Sequence, residues 1–293
     1  MSIQIDFATI DTLRKGAAKS RAVRSRDKFR ELSKAYPAMK KVLAEGDSWF
    51  AYPPKFILFG APSNVVDWLK EKHSDTLLID DISSNGDEAV AMMSGDSKLE
   101  FLRRLNEQHF DILLFSGGGN DIVGRYDFDY FLLPKTPNNT WRDCIHTGRF
   151  QRRLEMIERA YADLVELVAQ YSANRNIRIV THTYDIPIPT KEGATFFGGL
   201  LQVDNGRSWM YPYLMDKGIA DPADQRAIAR YMLTEFKATL NSVAAAANGL
   251  ITVVDTQGTV VEEDEWVNEI HPGSKGFAKV AQKIFREGIK PLL

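Results

Sequence analysis

Two rhythms of apolar residues alternate along this chain. Short runs rich in branched residues, Lys41–Glu45, Thr76–Asp80, Asp111–Phe115, Ile177–Thr181 and Leu250–Asp255, have the near-continuous apolar character of strands covered on both faces. Between them apolar residues recur at helical spacing: Leu154, Ile157, Tyr161, Leu164 and Val168 in one stretch, Ile228, Met232, Phe236, Leu240 and Val243 in another, and Phe277, Val280, Ala281 and Ile284 in the last. The middle helix has Asp221 as N-cap, Pro222 in its first turn and Asn248-Gly249 as its stop. This alternation from Met39 onward predicts βαβ units around a mostly parallel, five-stranded sheet.

Two stretches, Arg125–Phe150 and Tyr184–Asp221, break the alternation and are rich in aromatics, Pro and Gly. Both follow strand ends, where doubly wound sheets bind ligands, so they are expected to be insertions that wall or cover a pocket. Residues 1–38 read as an N-terminal extension, helical around Arg21–Ala35, and residues 39–293 as the α/β domain.

At 293 residues, 44% hydrophobic and 26% charged, the chain has the composition of a globular protein with a large core. No apolar run reaches the roughly 18–20 residues that span a bilayer. The start, Met1-Ser2-Ile3-Gln4-Ile5-Asp6, lacks the basic and apolar regions of a Sec-type signal, so the expected location is the cytoplasm, or outside it by an export route that leaves no such signal. A single cysteine, Cys144, excludes an internal disulfide. Between Arg14 and Lys41 eleven basic residues face only Asp27 and Glu31, a net +9 that leaves −11 on the rest of a chain whose total is −2. Phe29 and Tyr36 are the segment's two aromatics, too few for a base-stacking platform, so the segment is expected to balance the acidic domain and not to bind nucleic acid.

The chemistry lies at the expected strand exits. Ser48, in Gly46-Asp47-Ser48-Trp49, follows the first strand, and a serine hydroxyl becomes a nucleophile when a base takes its proton. Of the five histidines, His73 and His109 fall in polar contexts and His146 in an insertion. His182 ends the fourth strand near the expected pocket rim, as a candidate substrate contact. His271, kept on a loop by Pro272, follows the last strand and is the candidate base. Ser116-Gly117-Gly118-Gly119-Asn120-Asp121 allows three readings: a turn with a helix-capping Asn120, a phosphate loop lacking the Walker Lys-Ser/Thr pair, or an oxyanion loop with Asn120 as donor. Gly86, in Ser83-Ser84-Asn85-Gly86-Asp87, is a further candidate N–H donor.

These motifs resemble those of the SGNH (GDSL-type) hydrolases over roughly Lys40 to the C-terminus. Gly46-Asp47-Ser48 is similar to the first block, Gly86 to the second-block glycine, Gly118-Gly119-Asn120-Asp121 to the third block and His271-Pro272 to the fifth. The resemblance implies a three-layer αβα sandwich with a flavodoxin-like sheet, and ester or thioester hydrolysis without metal or cofactor. In it Ser48 is nucleophile and His271 base, the oxyanion hole comprises Ser48, Gly86 and Asn120, and Trp49 and Asp121 lie near substrate. One departure stands out: the family's fifth block reads Asp-x-x-His, and this chain has Asn268 three residues before His271. Asn268 is the expected orienter of the imidazole, with Asp264, Glu265 or Glu269 as alternatives if the loop folds back. The expected activity is a serine esterase acting on an acetylated sugar, a short-chain acyl ester or a lipid ester. An acyltransferase or a weakly active binding protein of the same fold is the alternative.

Overall fold

The computed structural model describes residues 3–5, 26–52, 62–174, 176–191, 195–196, 201–203 and 208–293. Its strands are β1 (Ile3–Ile5), β2 (Lys40–Gly46), β3 (Leu77–Asp81), β4 (Ile112–Ser116), β5 (Arg178–His182), β6 (Thr195–Phe196), β7 (Leu201–Val203) and β8 (Ile251–Val254). Five of them form one all-parallel sheet in the order β3-β2-β4-β5-β8. These are the five strands expected from the sequence, with ends displaced by a residue or two. β5 runs through His182, which pairs with Val254 and belongs to the sheet itself.

The order is that of flavodoxin-like folds, with the topological switch between β2 and β4. Right-handed crossovers then decide the layers. The connection from β2 to β3 runs one way along the sheet and those from β4 to β5 and β8 run the other, so their helices cover opposite faces. On one face α3 (Val65–Lys72) packs against α11 (Ser274–Ile284); on the other α8 (Thr147–Glu166) packs against α10 (Pro222–Ala246). This is a three-layer αβα sandwich. β4 is buried along its whole length, as a central strand between two helical layers must be. The caps of α10 are those the sequence predicts: the Asp221 carboxylate accepts from the Ala223 N–H at 2.9 Å, and Asn248 and Gly249 turn left-handed after the last turn.

The first expected insertion is more regular than its composition suggests. It contains α7 (Arg125–Phe131) and a 3₁₀ turn at Arg142–Cys144, and α8 already begins at Thr147, capped by His146. Within the second, β7 pairs antiparallel with β6 and parallel with β1, so the start of the N-terminal extension joins the insertion in a small second sheet. The extension's helix is described over residues 26–35. It packs Phe29 on Phe110, with ring centroids 5.7 Å apart, and Arg26 pairs with Glu100 and Glu107. Arg14, Lys15, Lys19, Arg21 and Arg24 of the basic run lie outside the described residues. Among the described residues no helix is long and apolar enough to cross a membrane.

Candidate active site

β2 leaves the sheet through a tight passage. A Cβ on Gly46 would lie 2.6 Å from the Ser116 carbonyl oxygen, so only glycine lets β2 run this close to the exit of β4. Asp47 then caps the short helix α2 (Ser48–Ala51), accepting from the Trp49 N–H at 3.0 Å. Ser48 stands at the first helical position, buried, with its backbone N–H unbonded to any described residue.

His271 comes from the loop before α11. Its Nε2 lies 2.7 Å from Ser48 Oγ and its Nδ1 lies 3.2 Å from Asn268 Oδ1. Asn268 Oδ1 also accepts from the backbone N–H groups of Ile270 and His271, at 3.0 and 2.9 Å, while its Nδ2 donates to Tyr52 Oη at 3.2 Å. Those bonds fix the carboxamide with oxygen toward the ring, so Nδ1 carries the proton and Nε2 offers a lone pair to the serine hydroxyl. Tyr52 stacks on the imidazole at 3.9 Å between centroids, and Trp209 meets it edge-on at 5.7 Å. Burial holds the His271 pKa down to about 3, so the ring is neutral near pH 7.

The alternatives to Asn268 are engaged elsewhere. The buried Glu269 carboxylate accepts from the backbone N–H groups of Thr190, Trp209, Met210 and Tyr211. Burial pushes it up to about 7 in spite of those donors. Glu265 pairs with Lys279, and no bond joins Asp264 to His271.

Asn120 lies in α6 (Gly119–Val123), directly after β4. One Nδ2 hydrogen goes to the Asp87 carbonyl at 3.0 Å, which pins the amide and leaves its second hydrogen for a ligand. Ser48, Asn120 and Trp49 line one cleft of about 30 Å³, together with Gly119, Val123, Tyr184, Leu233 and Ile270. Gly86 is not among the lining residues, but it directly precedes Asp87, whose carbonyl accepts from Asn120; its loop bonds to Gly46 through the Ser84 N–H at 2.8 Å, and the Gly86 N–H meets no described acceptor.

Two expected substrate contacts are placed otherwise. The Asp121 carboxylate is buried and accepts from the Ala89 and Val90 N–H groups, capping the helix α4 (Ala89–Met92). His182 lies beneath Trp49, ring against ring at 5.4 Å. Its Nδ1 accepts from the Tyr184 N–H at 3.2 Å, so its Nε2 donates to Ser116 Oγ at 2.9 Å, and Ser116 donates to Asp47 at 2.9 Å. Burial lowers His182 to about 3, so it too is neutral. Tyr184 completes this network from a left-handed backbone, φ 56°, with Oη donating to the second Asp47 oxygen at 2.6 Å. A Cβ on Gly119 would meet the Tyr184 ring at 3.0 Å, so the ring lies flat on the Asn120 loop. Burial pushes Asp47 up to about 7, against the donors that lower it.

Tyr52, Trp209, Tyr184 and the anchoring role of Glu269 escape the sequence reading. Tyr184 and Trp209 reach the site from distant segments, and Tyr52 and Glu269, though near Ser48 and His271 in the chain, act through distant partners: Asn268 and His271 for Tyr52, Thr190 and Trp209 to Tyr211 for Glu269. The sole signal is the aromatic content of Tyr184–Asp221. Among the described residues no group of three or more His, Cys, Asp or Glu side chains has the arrangement to hold a metal.

No protein-family model matches the sequence, and no curated protein matches it. Solved structures do resemble the fold. The lipase Lip_vut3 from a goat rumen metagenome superposes with a TM-score of 0.52 at 14% identity, covering 87% of this chain and all of that one (100%). A protein described as a GDSL-like lipase of Parabacteroides merdae gives 0.49 at 16% identity over 87% of this chain and 96% of its own. An acetyl xylan esterase variant of Geobacillus stearothermophilus gives 0.47 at 16% identity, over 85% and 94%. With its 2-1-3-4-5 parallel sheet and its four motif segments at the strand exits, the chain has the fold of the SGNH (GDSL-type) hydrolases.

Proposed function

We propose that the protein is a serine esterase with Ser48 as nucleophile and His271 as base, acting on carboxylic esters with a short acyl group. The observation that carries this reading is the 2.7 Å contact between Ser48 Oγ and the unprotonated Nε2 of His271. Attack forms the Oγ–carbonyl bond as the hydroxyl proton moves to Nε2. The oxyanion takes hydrogen bonds from Ser48 N–H, the free Asn120 hydrogen and Gly86 N–H. Collapse breaks the ester C–O bond, and the leaving alkoxide takes the proton back from His271. Water, deprotonated by the same ring, then releases the acid and restores Ser48. The narrow cleft between Val123, Leu233 and Ile270 supports a small acyl group over a long chain. Asn268 orients the ring, and neither a metal nor a cofactor enters any step.

A fluorophosphonate should label the native protein and leave Ser48→Ala unlabelled, and ester turnover should fall by roughly 10⁶-fold in that variant. Labelling that persists in Ser48→Ala would end the serine-esterase reading. The neutral Asn268 favours one second reading, a binding protein with little turnover. Native protein that labels yet hydrolyses esters no faster than Ser48→Ala would select it.

A further inference from the structure

A second, larger cavity of about 400 Å³ adjoins the cleft that holds Ser48. The two share Asp185 and Pro187 in their walls, and both are bounded by α10, whose Leu233 faces the cleft while Arg226 and Arg230 line the cavity. Arg230 precedes Leu233 by three residues, just under one turn of α10, so the two side chains are neighbours on one face of the helix.

The cavity is lined by two arginines, Arg226 and Arg230, and two carboxylates, Asp185 and Glu263, which are not equally engaged. Glu263 is spent on Arg226, at 2.8 Å. Asp185 is spent on the backbone N–H groups of Ile186, Gly258, Thr259 and Val260, each at 2.7 Å. Arg230 has no acceptor among the described residues. The solvent-exposed Arg230 guanidinium, without a bonding partner among the described residues, thus faces walls that include apolar Ile186 and Val261. A planar fork of donors in that position matches a carboxylate or phosphate.

We infer that the cavity binds the alcohol part of the ester and that Arg230 selects alcohols bearing an anionic group. The inference rests on the esterase reading above. A small cleft for the acyl group and a larger chamber for the alcohol follow from the two volumes, and the unpaired Arg230 supplies the selectivity.

The test compares 4-acetoxyphenylacetate with its neutral methyl ester and with 4-acetoxyphenyl phosphate. In the native protein kcat/KM should favour the anionic esters by about tenfold, the size of one charge-assisted hydrogen bond. Raising the salt should shrink that preference. Arg230→Gln should bring the ratio close to unity while leaving the neutral ester within about twofold, since Arg230 touches none of the reacting groups. The larger gain, carboxylate or phosphate, identifies the natural anion. A ratio unchanged by Arg230→Gln, or a native preference for the neutral ester, would overturn the inference. Failure of the esterase reading looks different: no ester is hydrolysed and no fluorophosphonate label forms. In that event, binding of 4-acetoxyphenylacetate to Ser48→Ala protein, with and without Arg230→Gln, still tests the cavity: equal affinities overturn the inference.

Discussion

Ser48 and His271 meet at 2.7 Å, yet they are held there by different means. The serine side is built into the sheet. Asp47, Ser116 and His182 sit at the ends of three neighbouring strands, and with Tyr184 they form a buried, bonded set beneath α2. The histidine side is anchored to the insertion. Residues 268–271 are tied down by Glu269, whose carboxylate gathers backbone N–H groups from both limbs of the second insertion, at Thr190 and at Trp209 to Tyr211. The lesson is that a parallel sheet supplies a preorganised nucleophile through its own geometry, whereas the base, coming from a long terminal loop, needs an external clamp.

Breaking the clamp should have the largest effect. Glu269→Ala removes the carboxylate that accepts from four backbone N–H groups, two in buried bonds and two in half-buried ones, a loss of about 1–3 kcal/mol for each buried bond before the loop relaxes. We expect a loss of roughly 3–5 kcal/mol in stability and about 10²-fold in kcat, read from denaturant melts and initial rates. Glu269→Gln keeps the volume and one acceptor oxygen, and should fall between. Hydrogen exchange separates the two sides: amides of 268–271 and 209–211 should lose protection in the variant, while those of 42–46 should keep it. Equal loss in both regions would show that the base loop and the sheet open as one unit.

A cut on the serine side should cost less. Tyr184→Phe removes one of the three donors to Asp47, while Ser116 and the Trp49 N–H remain. The expected cost is about 1–3 kcal/mol in stability, with kcat down about tenfold and KM nearly unchanged, because Tyr184 acts through Asp47. The variant also raises the Asp47 pKa further above about 7, since a group that lowers it is gone. A fall in melting temperature with kcat intact would leave Tyr184 a purely structural residue.

The same contrast explains what the sequence makes legible. All five main strands, the αβα layering and the meeting of Ser48 with His271 follow from short apolar runs and from motifs next to strand ends. Hydrophobic period and local turn chemistry encode such features within a few residues. Asn268 is legible too, since it lies three residues from His271 and closes a local turn. Glu269, by contrast, reads as one more acid in an acidic loop, and its partners lie 58 to 79 residues away. Asp121 and His182 are misplaced for a related reason: proximity to a motif indicates the right strand end, while the direction of the side chain depends on the register of strands and helices around it. His182 falls inside β5, where its position opposite Val254 turns it under Trp49 and away from the cleft.

The finest distinction concerns the neutral orienter. An amide in place of a triad carboxylate can cost about 10⁴ in turnover when it selects the wrong imidazole tautomer. Here the Ile270 and His271 N–H groups, with Tyr52 on the amide nitrogen, turn the oxygen of Asn268 toward Nδ1, so the tautomer is already correct. What remains missing is charge. His271 is neutral with its pKa lowered to about 3 by burial, and because the base must be unprotonated, the acidic limb of kcat/KM should lie well below histidine's ordinary value of about 6.5. Asn268→Asp would place a carboxylate on the same donors and stabilise the imidazolium, moving that limb up by about 1–3 pH units. The gain in kcat near neutral pH should be modest, about threefold to tenfold, because orientation is unchanged and only the electrostatic part is added. A limb that stays in place, or a fall in kcat, would mean that His271 already draws on a negative charge supplied by another residue.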